Sequence, residues 1–529
     1  MKTKNILFIS LIIVFFFLIT SYIVLANHNC TSVAPDKGES IKEKPLPPSI
    51  MPIYFLQGTF YEMGYQYGIQ AAPYIKCLLD DQKALWLDRD YADSPEEKDK
   101  ILKAFSYYIE TECPEFVEMV EGLSEGMTDS GYPATYNDIL MMQLMWDSAI
   151  DPENPASKYP ETIEASSKAC TAFCASGSTT KEDGQILAVS GDGVPFYHLG
   201  KLIVYPEKGN AFTNYTELGS FSENYIMNEK GLMITLTWGG LAREVDSQFG
   251  IPYPFMMLRL GLFADTESEA RDILLSSKLT WPAIYLIVDS MGNISAIETT
   301  SDVKKVRKPG EYNENGDFVV ATNHFVNSEI VKIIKQKPDW MATTERYDMA
   351  STFLSKGKGK VDIPYTKMIY RNYPIANPTN WTVHIGDNKN LVTYFTTGPA
   401  IKVKGGYPGG YALPIDPKYS FAEIKLKESP EETTIEAEYK AIEYIEKATT
   451  EFYKLDNINQ LYTEVKEILR EANTNLYKGM NYKRTAQVST GNNNSLFCWS
   501  KAITSYITAQ TLAKQAYNYI VVPITNISE

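Results

Sequence analysis

Histidine is scarce in this chain: there are four in 529 residues, His28, His198, His324 and His384, all far apart. None falls in an HExxH or CxxC…H spacing, so the residues call for no zinc site, and no cofactor motif stands elsewhere. An excess of positive charge is lacking too. The 50 Lys and Arg against 65 Asp and Glu leave a formal net charge of −15. That balance argues against nucleic acid, whose phosphates need a basic surface, and against an anionic membrane surface. No repeat of solenoid period is visible. What remains is a globular composition, 44% hydrophobic and 22% charged. The length suits one large core with a helical addition, or two domains.

Lys2 and Lys4 precede an uncharged run over residues 6–26, with Phe15, Phe16 and Phe17 at its centre. Its length is closer to a membrane span of about 20 residues than to a secretory core of about 7–15. Val24-Leu25-Ala26 nevertheless offers a small-residue cleavage end. A cleaved signal and an N-terminal signal anchor both stand for residues 1–26. Either puts the body outside the cytoplasm, with membrane contact through this segment alone. Residues 27–50, with four prolines, read as a flexible stalk. Export permits disulfides among Cys30, Cys77, Cys113, Cys170, Cys174 and Cys498. Cys77–Cys113, between two predicted helices, is the pair expected first. Sequons at Asn29, Asn214, Asn293, Asn380, Asn493 and Asn526 fit an exported surface.

Residues 51–169 read as a helical region, with Gly64 and Gly68 on one face of the first helix permitting close approach of another element. A second helical stretch, 97–130, is expected to break near Pro114. A polar loop with Pro152, Pro155 and Pro160 leads to Ala169-Cys170, a suitable place for a scissile bond. From Cys170 the period changes. Strands are predicted at 171–178 and 186–190 across Lys181-Glu182-Asp183-Gly184, a turn of the Asp-Gly kind. Further strands are expected at 202–205, 212–215, 225–227, 233–237, 283–288, 295–298, 318–322, 382–385 and 392–395, with helices at 253–262 and 268–277. Residues 170–427 thus form a layered α+β core. Residues 428–529 form a helical extension packed on that core, with helices at 436–451, 458–472 and 495–519.

Cys170 is the residue on which chemistry turns. A thiol of pKa about 8.5 is only a few per cent thiolate at neutral pH. If the chain breaks between Ala169 and Cys170, the new α-amine, of pKa about 8, lies beside the sulfur and can take its proton. Asp192 would come near Cys170 if the hairpin pairs symmetrically, and could orient that amine. The plain alternative is a buried core thiol with Asp192 in a turn. Asn323, at a strand end, can offer its side-chain NH₂ to a developing oxyanion or can cap the next segment. His324 suits a general base or a structural hydrogen bond. Arg346 can hold a substrate carboxylate or pair with Glu345 or Asp348 on a helix face. Cys174, on the same strand face as Cys170, is a supporting residue, a rival nucleophile, or half of a CxxxC redox pair.

Four ordered motifs carry a resemblance. They are the stretch from Gly58 to Gly68 (GTFYEMGYQYG), Cys170-Thr171-Ala172-Phe173 with Asp192 after the hairpin, Met227-Asn228-Glu229-Lys230-Gly231-Leu232, and Thr322-Asn323-His324-Phe325. Over residues 53–427 the chain resembles the acyl-CoA:6-aminopenicillanic-acid acyltransferases (isopenicillin-N acyltransferases), within the N-terminal-nucleophile (Ntn) amidohydrolases. The resemblance implies a four-layer αββα sandwich, cleavage between Ala169 and Cys170, and two chains that stay associated. It implies Cys170 as nucleophile, Asp192 beside it and Asn323 in the oxyanion hole. The chain departs from the pattern in three places. Ala188-Val189-Ser190-Gly191-Asp192 stands where members commonly carry Gly-Gln-Asn-Trp-Asp. Thr237, followed by Trp238, replaces a typical Asn near the substrate, and Ala169 replaces a common Gly. The implied activity is cleavage or transfer of a small-molecule acyl amide or acyl thioester. A phospholipase B-like or ceramidase-like lipid hydrolase, or an inactive binding protein with the same fold, are the alternatives.

Overall fold

The computed structural model describes residues 51–88, 95–144, 169–192, 199–239, 250–280, 282–300, 303–333, 342–376, 380–396, 421–455 and 460–521. Strand β1 (Ile53–Gly58) and helices α1 (Phe60–Asp88), α2 (Pro95–Glu112), α3 (Pro114–Asp129) and α4 (Tyr136–Leu144) come first. Strands β2 (Ala169–Ala175), β3 (Ile186–Asp192), β4 (Leu199–Pro206), β5 (Phe212–Glu217), β6 (Tyr225–Asn228) and β7 (Met233–Trp238) follow. Helices α5 (Tyr253–Phe263) and α6 (Glu267–Ser276) lead to β8 (Ala283–Val288), β9 (Ile294–Thr299), β10 (Lys304–Arg307) and β11 (Phe318–Ala321). Then come α7 (Ser328–Ile333), α8 (Thr343–Lys356) and α9 (Ile363–Ile369), and strands β12 (Asn380–Asp387), β13 (Val392–Phe395) and β14 (Ala422–Lys425). Three long helices close the chain: α10 (Pro430–Phe452), α11 (Gln460–Val488) and α12 (Asn492–Val521).

The strands form an eight-stranded sheet, β1-β4-β5-β6-β7-β8-β9-β10, and a six-stranded sheet, β11-β2-β3-β12-β13-β14. Strand alternation sorts the side chains into layers. On β2, Ala172 and Cys174 face the larger sheet, against Ile203, Met227 and Leu286. Phe173 and Ala175 face the other way, onto Tyr347 and Leu354 of α8 and Ile369 of α9. The far face of the larger sheet, with Leu202, Ile226 and Ile234, is covered by α1–α6. Four αββα layers result, as expected, and the helical tail packs on the core.

Three strands escaped the sequence pattern. The most consequential is β1, which stands where an all-helical region was expected and pairs in parallel with β4. As an edge strand it needs cover. Helix α12 supplies it: Thr504 Oγ1 accepts from Ile53 N–H at 3.0 Å and Ser500 Oγ from Phe55 N–H at 2.9 Å. On the other sheet's edge, Gln510 Oε1 accepts from Glu423 N–H of β14 at 2.9 Å. The β2–β3 turn also differs from expectation. Positive φ falls on Glu182 and Asp183, while Gly184 has an ordinary φ of −68°.

Helix α1 crosses α3 at glycines on both sides, Gly64 and Gly68 against Gly122 and Gly126. A Cβ on Gly64 would lie 2.0 Å from the Met119 carbonyl oxygen, and one on Gly122 would lie 2.1 Å from that of Tyr61. Pro114 begins α3, separating it from α2 as its missing N–H requires. Cys77 and Cys113 are not joined: both are reduced. Cys113, buried at the start of α3, instead accepts from Arg259 Nη1 at 3.4 Å, and burial pushes its thiol up to about 12. Cys498 is disulfide-bonded. Of the sequons, Asn214 is fully buried within β5 and donates to the Phe221 carbonyl at 2.7 Å, so it is no glycan acceptor in the folded chain. Asn293 and Asn493 are exposed. Among the described residues no helix is long and apolar enough to cross a membrane; the 6–26 run lies outside them.

Lys201, on β4, is fully buried between the sheets. Its ammonium lies 4.9 Å from the Phe395 ring centroid and 5.5 Å from that of Tyr225, with no hydrogen-bond partner among the described residues. Burial pushes it down to about 7.

Two substitutions test this packing. Gly122→Ala gains helix propensity of about 1 kcal/mol at most, but its methyl meets a backbone oxygen that cannot swing away. A net loss of about 1–3 kcal/mol is expected by urea unfolding, whereas Gly184→Ala, with 3.6 Å of clearance, leaves the midpoint unchanged. Lys201→Met should stabilise the protein by roughly 3–5 kcal/mol near pH 6.5. The gain shrinks as pH rises from about 7 toward the ordinary lysine value, because only the unfolded wild-type chain holds the proton across that interval. Urea midpoints at pH 6.5 and 9.5 measure it, and a gain independent of pH contradicts this account.

Candidate active site

The hairpin register answers the first question about Cys170. Strands β2 and β3 pair with Cys170 opposite Gly191 and Ala169 opposite Asp192. The backbone of Asp192 therefore stands one position from Cys170 on the neighbouring strand, though the register is centred between Thr180 and Lys181, ahead of the expected Asp183-Gly184 turn; its side chain lies outside the description. Cys170 shares the inward face of Ala172 and Cys174, and is 3% exposed in this uncut chain.

On the other side of β2 runs β11, with Ala321 opposite Ala172. Just past its end, Asn323 swings its side chain across: Oδ1 accepts from the Cys170 N–H at 2.7 Å. One N–H of its Nδ2 goes to the Trp238 carbonyl at 3.2 Å. The nitrogen of the Ala169–Cys170 peptide thus lies against a fixed acceptor. Asn323 is itself held, its N–H donating to Thr343 Oγ1 at 2.9 Å. Thr343 Oγ1 donates to Thr322 Oγ1 at 3.0 Å, and Thr322 Oγ1 also lies 3.0 Å from the Thr343 carbonyl. Below this turn, Arg307 is buried with Glu298 and Glu314. Its Nη2 donates to the Val320 carbonyl at 2.7 Å, while Glu314 Oε1 accepts from Val320 N–H at 2.8 Å. Glu298 Oε2 takes the N–H groups of Val326 and Asn327. Both sides of the Asn323 turn are therefore anchored in a buried charge network, in which Glu314 Oε2 has no hydrogen-bond partner among the described residues.

Arg346 corrects its sequence reading. It is fully buried on the inner side of α8, while Glu345 and Asp348 are exposed, so it neither awaits a substrate carboxylate nor pairs with those neighbours. Its Nη1 donates to the Cys170 carbonyl and, at 2.9 Å, to Thr171 Oγ1; its Nη2 donates to Asn323 Oδ1 at 2.9 Å. The planar fork joins the cysteine's backbone to the asparagine that holds its nitrogen. Tyr370, donating to the Thr171 carbonyl at 2.9 Å, braces the next residue.

His324 is turned away from this work. Its Nδ1 sits 3.0 Å from both Thr322 Oγ1 and Thr343 Oγ1, and its ring meets Tyr347 edge-on at 5.5 Å. It braces the turn. Thr237 is fully buried and donates to the Thr322 carbonyl at 2.6 Å, so it fastens β7 to the same turn and does not face a substrate. Trp238 is half-buried, with its carbonyl on Asn323 and its ring against the outer helical layer. Cys174 is fully buried, and burial pushes its thiol well above the ordinary value, which disqualifies it as a rival nucleophile. Four residues of extended strand also put it about 13 Å along from Cys170, too far for a disulfide. Among the described residues no cluster of His, Cys, Asp or Glu is arranged to hold a metal. Sequence reasoning missed Asn224, whose Nδ2 donates to Cys170 Sγ at 3.7 Å.

No protein-family profile matches the chain. An uncharacterized protein of Archaeoglobus fulgidus is 22% identical over 367 residues, 64% of this chain. The chain spans 59% of that relative's length. Among solved structures, an N-acylethanolamine-hydrolyzing acid amidase ortholog of Caenorhabditis elegans aligns over 41% of this chain and 93% of its own, at 14% identity and a TM-score of 0.32. A variant of the conjugated bile acid hydrolase of Clostridium perfringens aligns over 43% of this chain and 89% of its own, at 11% identity and a TM-score of 0.32. These overlaps are partial, and the site geometry stands without them.

Arg346→Lys keeps the charge but cannot span three acceptors. The variant is expected to fold and to hold the Cys170 backbone more loosely, so that hydrogen exchange in the peptide containing the Cys170 N–H speeds up at least about tenfold. Exchange followed by mass on that peptide measures this.

Proposed function

We propose that the chain is a cysteine amidohydrolase or acyltransferase of the N-terminal-nucleophile type that matures by breaking its own Ala169–Cys170 peptide bond. The observation that carries this reading is the 2.7 Å bond from the Cys170 N–H to Asn323 Oδ1, on an oxygen also held by Arg346. Any buried N–H needs an acceptor; what sets this one apart is that the acceptor is a side-chain amide oxygen, itself fixed by a guanidinium, where a strand would offer a carbonyl. A nitrogen about to become a free amine calls for such a fixed acceptor, because its lone pair must be aimed at the sulfur.

In maturation the Cys170 sulfur adds to the Ala169 carbonyl carbon, the thiol proton passes to the nitrogen and the C–N bond breaks, leaving a thioester and a neutral α-amine. Water then hydrolyses the thioester, releasing the Ala169 carboxylate. In turnover the α-amine takes the thiol proton and the sulfur attacks the substrate carbonyl. The second N–H of Asn323 Nδ2 assists the oxyanion. The leaving amine or thiol takes the proton, and water or an acceptor amine collects the acyl group. Substrate is a small linear acyl amide, such as an N-acylated amino acid or lipid amide, or an acyl thioester. The protein works outside the cytoplasm. The pieces stay together because β1, which precedes the cut, pairs with β4, which follows it.

Denaturing electrophoresis with N-terminal sequencing tests the reading. Wild type should give a large fragment that begins at Cys170. Cys170→Ala should remain one chain and lose turnover of an acyl-amide panel entirely. A Cys170→Ala protein that is cut like wild type, or that keeps its turnover, overturns it.

A further inference from the structure

Asn224 precedes β6 and is 5% exposed. Its backbone is pinned: the carbonyl accepts from Leu236 N–H at 3.3 Å and from Thr235 Oγ1 at 2.5 Å. Its side chain has two different neighbours. Nδ2 donates to Cys170 Sγ at 3.7 Å, and Oδ1 accepts from the Tyr215 hydroxyl. Tyr215 is fully buried on β5, in register with Lys201, and its ring lies flat on His384 with centroids 4.1 Å apart and planes 6° apart. A side-chain amide can flip end for end at little cost unless a partner distinguishes its ends. A thiolate can only accept, so it draws Nδ2 toward itself, and the Tyr215 hydroxyl then donates to the Oδ1 on the other side and anchors that orientation.

We propose that Asn224 is a further catalytic residue, whose amide N–H stabilises the Cys170 thiolate, and that Tyr215 is the positioning residue that anchors the other end of that amide. This rests on the reading of Cys170 as nucleophile. An N–H donated to sulfur favours the charged form, whereas a flipped amide would set an oxygen lone pair against it. The α-amine of a matured chain removes the proton; Asn224 holds the sulfur without it. Other charged or titratable groups surround the pair and are unchanged in the test. Arg346 of α8 lies on the Cys170 carbonyl, and Asp192 of β3 stands in register with Ala169. Glu223 accepts from the Tyr253 hydroxyl at 3.1 Å, and Glu217 ends β5. Lys201 and His384 lie beyond the Tyr215 ring, and burial holds His384 in its neutral form.

The test is the pH profile of iodoacetamide alkylation, followed at the Cys170 peptide by mass so that Cys77, Cys113 and Cys174 do not contribute. It needs no substrate and can be run on cut or uncut chain. Asn224→Leu and the milder Tyr215→Phe should each raise the midpoint by at least one unit, about tenfold slower reaction below both midpoints. Asn224→Asp should raise it further than Asn224→Leu, which a mere packing role would not do. A folded Tyr215→Phe or Asn224→Asp protein with the wild-type profile overturns the proposal. An uncut, inactive wild type whose Cys170 midpoint still moves in these variants would defeat the reading of function and Asn224's catalytic role with it, leaving only its stabilisation of the thiolate.

Discussion

One guanidinium holds the site together. Arg346 reaches three oxygens that belong to two different stretches of chain: the Cys170 carbonyl and Thr171 hydroxyl on β2, and the Asn323 amide past β11. Hydrogen bonds from a charged donor are worth about twice neutral ones, and here they act far from water. Without this fork, the Asn323 side chain keeps only its bond to the Cys170 nitrogen and the one from its Nδ2 to the Trp238 carbonyl. The position of α8, which carries Arg346, therefore matters as much as the hairpin that carries the cysteine.

That position is itself derived from the core. Phe173, Ala175, Phe318 and Val320 present their outer faces to Tyr347, Ala350 and Leu354, which seats α8 on the smaller sheet. Thr343, at the head of α8, closes on Thr322 and Asn323, and Tyr347 donates to Glu314, a member of the Arg307 network under β11. Strand, turn and helix are thus cross-linked at three heights. Desolvating Arg307, Glu298 and Glu314 is costly, and burial alone pushes the Glu298 carboxyl up. The return is rigidity: Val320 before Asn323, and Val326 and Asn327 after it, have charged partners, while the Thr237 and Thr343 hydroxyls hold the turn between.

Much of this was legible in the sequence, for identifiable reasons. The Cys170–Asp192 hairpin and most core strands are short runs rich in β-branched and aromatic residues bounded by turn signals, and that punctuation survives without context. Strand β1 was not legible because Ile53, Tyr54, Phe55 and Leu56 are all buried, between α-helices on one side and the inter-sheet core and tail on the other, so they show no period. Strand β10, read as Lys-Lys-Val-Arg, hides its role behind three charges. Arg346 was placed correctly on a helix but given the wrong task. A charged residue flanked by acids suggests a solvated face, and only the tertiary fold reveals that its neighbours point out while it points in. Asn224 and Tyr215 left no signal, since their pairing depends on the register of β5 with β6 and on the sheets' separation. The glycines of α3 were readable in principle: Gly122 and Gly126 repeat the four-residue spacing of Gly64 and Gly68, and reciprocal spacing is what close backbone approach requires.

The layout also explains why a break before Cys170 is compatible with this architecture. The peptide bond at issue lies at the start of β2, whose ladder partners β3 and β11 both come later in the chain. Cutting there takes from the smaller sheet only Ala169, opposite Asp192. The preceding segment is fastened elsewhere, by the six-residue parallel pairing of β1 with β4, by α12 hydroxyls on the strand's outer N–H groups, and by the apolar contact of α1–α4 with the larger sheet. A free terminus at Cys170 would therefore be mobile only in its own first residue, and Asn323 and Arg346 already hold that residue on both its nitrogen and its carbonyl. The constraint that makes the sulfur's neighbourhood rigid is independent of the bond whose loss would activate it.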